Sequence, residues 1–392
     1  MPSMQYDLTS RRWLILASTV VSFFAVGVTF FAVPPLIPEL VTRFGLSHLE
    51  IGVLMGSIAI PAIFLSIPLG AAVDRWPARA AGNASLSLML IGSLLFAVAP
   101  NYMTLLIGRL LFGLGALVVN LLLARLVTAA FAGRELSLAM GVFNAVYPAS
   151  MVVMFTLHPR LLGSLGWRGE LMALAIIVVI AIPLHNFAVP KNLRGEAATE
   201  TDSREPWITA PLLALAVSWM LFFAAYASVF TFAPEWAGGG SSSLLIGSLI
   251  AWVALILAPV VGTLIDRTGR TARWVLGGQL LLAAVLATMA GSVIHPALAM
   301  ILVGLTFATV STATYSMPAI LAPPARIGFA FGFITAFSNL GTLLGPAAAG
   351  AIRDQTEGWS LAWAVLAAAA AVGAMATLKL PVKGNRAAGP SE

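Results

Sequence analysis

Twelve apolar stretches, each long enough to cross a lipid bilayer, recur along this chain, and short polar breaks between them carry most of its charge. A helix rises 1.5 Å per residue, so about 20 apolar residues span the ~30 Å hydrocarbon core. The stretches lie near 13–38, 49–73, 80–99, 103–128, 136–157, 168–188, 208–234, 244–265, 273–293, 297–320, 327–351 and 359–380. Typical breaks are Asp74-Arg75-Trp76-Pro77 and Asp266-Arg267-Thr268-Gly269. Charged residues make up 9% of the chain, against about 25% in a soluble domain. Hydrophobic residues make up 60%, and the mean hydropathy is +0.97. A soluble fold of this size has too few polar side chains to coat its surface. The expected fold class is therefore an all-α membrane protein with twelve transmembrane helices.

Composition also excludes several functions. The net charge of +6 is dispersed through loops, so a nucleic-acid partner is not expected. With no cysteine there is no disulfide, thiolate chemistry or Cys-ligated metal. His48, His158, His185 and His295 fall at span ends and suggest no metal site. HExxH, GxSxG and paired carboxylates are absent, which argues against an enzyme, and no Walker A loop points to ATP. No cofactor is expected. Arg11-Arg12 precedes an apolar run that continues to about Pro38, too long for a cleaved leader, so that run reads as the first span.

One segment differs in kind. Residues 191–206 hold Lys191, Arg194 and Arg204 with Glu196, Glu200, Asp202 and Glu205, and no apolar run. This aqueous linker divides the chain into an N-terminal six-helix bundle, 1–190, and a C-terminal one, 207–392. Lys and Arg set orientation. Arg11, Arg12, Arg75, Arg79, Arg134, Lys191, Arg194, Arg267, Arg270 and Arg326 share one side, opposed only by Arg43, Arg160, Arg168 and Arg353. Both termini and the linker are thus expected in the cytoplasm, with the chain multi-pass in the cell (inner) membrane.

The halves repeat. Gly70-Ala-Ala-Val-Asp74-Arg75 recurs as Gly262-Thr-Leu-Ile-Asp266-Arg267. Gly166-Trp167 recurs as Gly358-Trp359 at the same displacement, and Ile51-Gly52 as Ile246-Gly247 at nearly the same one. Parallel six-helix repeats are a transporter design, with the site near the midplane. On these residues the chain resembles the major facilitator superfamily over essentially its whole length. The loop from Gly70 to Arg79 is similar to that family's GxxxDRxGRR signature, with Pro77 and Ala78 where Gly and Arg are usual. The second copy, Gly262 to Arg270, keeps the Gly. Arg109-Leu-Leu-Phe-Gly113-Leu-Gly115 resembles the RxxxGxG pattern of the fourth span. The run Gly141-Val-Phe-Asn144-Ala-Val-Tyr147-Pro148-Ala-Ser150 departs from the GxxxGPxxGG pattern of drug–proton antiporters, and Gly345-Pro346 falls in span 11 instead.

The resemblance implies a conformational latch at Gly70, Asp74, Arg75 and Gly262, Asp266, Arg267. In it, a carboxylate accepts from the open N–H groups at a neighbouring helix start, near Arg326-Ile327-Gly328 or Arg134-Glu135. The alternative is a solvated loop acid. The resemblance also places spans 1, 4, 7 and 10 around a central cavity. The candidate cavity residues are Arg109, Asn120, Arg125, Asn144, Tyr147, Tyr226, Thr309, Thr312, Tyr315 and Asn339. Arg109 reads equally as a functional intramembrane charge or as a structural donor to carbonyls of span 1 beside Pro34-Pro35. Arg125 lies near enough to the cytoplasmic end to snorkel. The run Thr309-Val-Ser311-Thr312-Ala-Thr314-Tyr315-Ser316 reads as a cavity wall, or as hydroxyls bonding their own helix. Trp219 and Trp252 are further aromatic candidates, against a default of lipid-facing Trp.

Every Asp and Glu can be placed in a tail, a loop or at a helix end. Glu39 and Glu235, each following a Pro at the outer end of spans 1 and 7, are the candidate coupling residues. The expected protein is a secondary active or facilitative transporter of a small solute, a small organic anion or neutral polar metabolite, working as a functional monomer in the bilayer by alternating access between its halves. The alternatives are proton-antiport efflux of drugs or metabolites and a non-transporting membrane sensor. The topology has a direct check in this Cys-free chain. A single cysteine at Ser203 should label only from the cytoplasm and one at Ser242 only from outside. Labelling of both from one side contradicts twelve crossings.

Overall fold

The computed structural model describes residues 11–131, 135–190, 207–323, 326–356 and 358–381; the side chains at 67, 68, 70–75 and 137 lie outside the description. The 191–206 linker therefore lies outside it as well. Eleven of the described helices are long and apolar enough to cross a membrane. One of them, Leu136–Ala188, is 53 residues long, about 80 Å at 1.5 Å per residue and more than twice a bilayer core. It breaks at Gly166, where φ is 67° and ψ 169°. Counted as spans 5 and 6 on either side of that break, it brings the crossings to twelve.

The sequence suggests a loop from about 158 to 167, but the structure is helical up to the break. Pro159 does not stop the helix; the turn waits for the one residue that tolerates this backbone. Positive φ with extended ψ is essentially a glycine conformation.

Other boundaries follow from local chemistry. Span 1 is two helices, Arg12–Phe30 and Val33–Phe44. Pro34 and Pro35 lack the N–H groups that would continue the first helix and sit where a new helix start accepts them. Span 2 runs His48–Gly56, a 3₁₀ turn Ser57–Ala59, then Ile60–Arg75. Spans 4 and 7 begin with side-chain caps. Asn101 accepts from the Thr104 amide at 3.0 Å, and Thr209 from the Leu212 amide at 3.3 Å. The remaining spans are Ala78–Val98 (3), Tyr102–Ala130 (4), Ala210–Trp236 (7), Gly240–Thr268 (8), Thr271–Ala290 (9), Pro296–Leu321 (10), Ile327–Thr356 (11) and Ser360–Thr377 (12).

The described chain forms two compact units. The first holds residues up to Leu46 and from Ser57 through span 6; the second holds spans 7–12 and also Ser47–Gly56. Packing partners repeat six spans apart. Spans 3 and 4 pair in the first unit as 9 and 10 do in the second, and span 3 meets span 6 as span 9 meets span 12. Span 1 meets span 5 as span 7 meets span 11. The pseudo-repeat read from short motifs is thus a repeat of helix packing.

Span 2 is divided between the units. Its first helix packs on span 11 through Gly52 and Gly56, a GxxxG pair. A methyl group on Gly52 would run into the Pro346 carbonyl, and one on Gly56 into the Leu343 backbone. Without hydrophobic drive between helices in lipid, such small-residue seams supply the packing. The second part of span 2 packs on span 4.

Gly166→Ala should lower stability by about 1–3 kcal/mol, because the break admits no Cβ without strain. Gly163→Ala, exposed within the helix and with open space around it, should be neutral or stabilising by about 0.5–1 kcal/mol. Thermal unfolding of the detergent-solubilised protein measures both. Equal melting temperatures for the two variants would contradict the assigned break.

Candidate functional site

In the first unit, the candidate residue with the clearest role is Arg109. Its side chain is 1% exposed and donates to the Thr29 carbonyl at 2.8 Å. Thr29 belongs to the last turn of helix Arg12–Phe30, whose final carbonyls lack helical donors because the chain breaks before Pro34. Arg109 supplies a donor there, and the Phe96 ring lies 5.8 Å from its guanidinium carbon. Of the two readings left open by the sequence, this geometry favours the structural one.

The remaining first-unit candidates do not converge. Tyr147 sits among Phe23, Phe30 and Phe31, at ring-centroid distances of 6.0, 5.6 and 4.9 Å. Asn144, on the same helix, is exposed, and Asn120 and Arg125 on span 4 are partly buried. Span 1 carries polar atoms that the sequence reading passed over. The hydroxyls of Ser18, Ser22 and Thr29 are buried and have no hydrogen-bond partner.

The second unit contains an aromatic cluster on spans 7 and 10. Tyr226 stacks on Phe307 with centroids 4.5 Å apart and on Phe222 at 5.8 Å. Trp219 continues the row, stacked on Phe222 at 5.3 Å and edge-on to Tyr315 at 5.6 Å. Its ring is 1% exposed, yet its indole N–H has no acceptor. Trp252, its fellow candidate, is 44% exposed on span 8.

The span-10 hydroxyls mostly bond their own helix. Thr309 donates to the Leu305 carbonyl at 2.7 Å, Ser311 to Phe307 at 2.6 Å and Ser316 to Thr312 at 3.0 Å. The Thr312 methyl faces Gly262, whose added Cβ would sit 3.7 Å away. The Thr314 hydroxyl is buried and unbonded. Asn339 likewise donates to its own helix, at the Thr335 carbonyl, 2.9 Å. This run is thus largely back-bonded, and what faces the cluster is aromatic.

Only the second copy of the latch motif falls within the described side chains. The side chains at Gly70, Asp74 and Arg75 lie outside the description, as does Arg134. Asp266 and Arg267 are exposed at the end of span 8, and among the described residues neither makes a side-chain hydrogen bond or ion pair.

The two coupling candidates part company. Glu39 holds Arg43 one turn away on its own helix, Oε2 to Nε 2.7 Å. Glu235 instead reaches His48, Oε1 to Nε2 3.1 Å, with Arg353 Nε 4.0 Å from the same oxygen. His48 Nδ1 lies 2.8 Å from Asp354 Oδ1. His48, Glu235, Arg353 and Asp354 all belong to the second unit, and Glu39 and Arg43 to the first.

The chain matches the family model of the Major Facilitator Superfamily over residues 18–317 and 239–392. It belongs to the Major Facilitator Superfamily. Among curated proteins it is 25% identical over 262 residues to the lysosomal dipeptide transporter MFSD1 of Bos taurus, covering 58% of this chain and 54% of that protein. It is 26% identical over 263 residues to the Homo sapiens protein of the same name, covering 57% and 54%. The chain spans about half the length of the curated relatives it matches. Its fold is that of the nucleoside transporter NupG, with a TM-score of 0.77 at 15% identity, covering 93% of this chain and 99% of that one. It is also that of a bacterial homologue of the human lysosomal transporter Spinster, with a TM-score of 0.75 at 13% identity, covering 94% and 97%.

Membership identifies the chain as a multi-pass membrane protein of that superfamily. Sequence reasoning missed the His48 cluster because its members are separated by 187 and 306 positions. One local signal was readable: Ser47-His-Leu-Glu50 is a capping box. Ser47 donates its amide to Glu50 Oε2 at 2.9 Å, and the Glu50 amide donates to Ser47 Oγ at 3.2 Å.

Arg109→Met should destabilise the protein by about 1–3 kcal/mol, since the Thr29 carbonyl stays buried without its donor. Arg109→Lys should recover part of that loss. If the Met variant melts with the wild type but loses transport, Arg109 serves the cargo rather than the break.

Proposed function

We propose that the protein is a secondary active or facilitative transporter of a small organic solute, moved by alternating access of its two six-span halves. The solute carries an apolar group and an oxygen acceptor, and short peptides are the first class to test. The observation that carries this reading is the orphan indole N–H of Trp219 inside the aromatic cluster of spans 7 and 10. A buried donor without an acceptor costs about 1–3 kcal/mol, and most buried polar groups avoid that cost. A ligand carbonyl or carboxylate would supply the acceptor, while Phe222, Tyr226 and Phe307 offer ring faces to its apolar part. Relatives that are dipeptide transporters support the same class, because a peptide has both features.

Charge placement supports a cargo that is not a bare cation. The acidic residues of the sequence lie in tails, loops and helix ends, and Arg109 is engaged at the Thr29 carbonyl. The distribution of Lys and Arg supports insertion in the cell membrane with both termini cytoplasmic. The departure of the Gly141–Ser150 run from the antiporter pattern weighs against drug efflux. For Asp266 and Asp74, the latch role stays a proposal of this transport cycle.

A thermal-shift screen of the purified protein against dipeptides, amino acids, nucleosides and sugars tests the reading. A binder at 100 times its Kd stabilises by about 2.7 kcal/mol. Dipeptides should raise the melting temperature, and Trp219→Phe should weaken their binding about tenfold, the loss of one hydrogen bond, while leaving the unliganded melting temperature unchanged or higher. Stabilisation by sugars alone, or binding indifferent to Trp219→Phe, contradicts the assigned site.

A further inference from the structure

The helix His48–Gly56 is held in the second unit by more than its glycine seam. Asp354, at the end of span 11, accepts from the His48 amide at 3.0 Å and the Leu49 amide at 2.9 Å. It thereby caps the start of a helix that lies 306 positions away in sequence. The same carboxylate meets His48 Nδ1, and Glu235 at the end of span 7 meets His48 Nε2. Trp359 lies edge-on to the imidazole at 5.6 Å and Phe232 at 6.3 Å. The charged groups facing His48 are Asp354 from span 11 and Glu235 from span 7, with Arg353 behind Glu235 at 4.0 Å. On its own helix, Glu50 is engaged in the capping box.

Both ring nitrogens therefore face carboxylate oxygens. A neutral imidazole has one N–H and one lone pair, so one of these contacts would set a lone pair against a carboxylate; the imidazolium has two donors. With His48 charged, two carboxylates are balanced by His48 and Arg353. With His48 neutral, one negative charge is left over. The ends of the segment are suited to movement. Leu46 and the 3₁₀ turn Ser57–Ala59 join it to the first unit, and a 3₁₀ stretch inside a helix often marks a hinge.

We propose that His48, set between Asp354 and Glu235, is a proton-binding site whose charge state controls how firmly the segment Ser47–Gly56 is held to the second unit. The geometry suits an imidazolium between two carboxylates, each ring nitrogen donating to one of them. The hold is strongest in that state. It is lost when His48 gives up its proton, because one of the two carboxylates then faces a ring nitrogen that cannot donate. The consequence for transport, a proton that gates the outer end of span 2, rests on the transporter reading. The hold itself does not, and its test needs no substrate.

The test uses the full chain in proteoliposomes with a single cysteine at Ile51, which is 0% exposed in the packed segment. Its maleimide labelling is normalised to that of a cysteine at the exposed Ser242, which removes the intrinsic pH dependence of the thiol. Normalised labelling should rise about tenfold between about pH 5.5 and about pH 8 as His48 loses its proton. In a His48→Gln background it should be fast at both pH values. In a His48→Arg background, where the charge is permanent, it should stay slow at both. Size-exclusion profiles confirm that each variant is folded. Labelling independent of pH in the wild type, or a His48→Gln variant that keeps the wild-type pH profile, overturns the proposal. A pH-dependent segment in a protein that moves no solute would overturn the transport reading and leave this site standing.

Discussion

In a hydrocarbon solvent every backbone N–H and C=O must find its partner within the protein, and that requirement organises this structure. Long uninterrupted helices meet it without help. Each interruption has to be compensated, and charged or polar side chains do so at two of them. The break before Pro34 leaves carbonyls that draw Arg109 into the interior. The start of helix His48–Gly56 exposes amides that Asp354 and Ser47 cap. A membrane protein with 9% charged residues has few to place, and most of those with described partners serve a helix end.

That economy changes how intramembrane polarity is read. Arg109 reads from the sequence equally as a functional charge or as a structural donor to span 1, and its bond to the Thr29 carbonyl favours the second. Thr309, Ser311, Ser316 and Asn339 look like a cavity wall, yet each bonds its own helix. Once these are accounted for, the polar groups that remain uncommitted stand out. Among them are the indole N–H groups of Trp219 and Trp363 and the hydroxyls of Ser18, Thr19, Ser22, Thr29, Ser93 and Thr314; of the two indoles, that of Trp219 lies in the aromatic row of spans 7 and 10. Functional inference is better drawn from groups whose hydrogen bonds are unmade than from polar residues as a class.

The fold was legible because its determinants are local and repeated. Apolar run length marks the spans, and the Gly70–Arg75 and Gly262–Arg267 motifs mark the two halves. Pro34-Pro35 announces the break in span 1. The break between spans 5 and 6 lies at Gly166 rather than across 158–167, because apolar run length does not reveal that the helix continues past Pro159 to the one residue whose backbone makes the turn. The His48 cluster was invisible for a different reason. It joins span 2 to spans 7 and 11, and no periodicity relates residues 48, 235 and 354. Glu235 could be singled out by its position after Pro234, but the residue that gives it chemical meaning could not. The same holds for Trp219, whose row of rings is assembled from two helices.

The central claim, that this member of the superfamily moves a small organic solute bearing an oxygen acceptor, is tested most directly by counterflow in proteoliposomes. Vesicles are loaded with unlabelled dipeptide and diluted into trace labelled dipeptide, so that exchange through a transporter transiently accumulates label. The account predicts an overshoot with dipeptide that empty liposomes do not show and that Trp219→Phe diminishes. An overshoot with sugars or inorganic ions and none with dipeptides, or no overshoot with any solute that stabilises the purified protein, would contradict it.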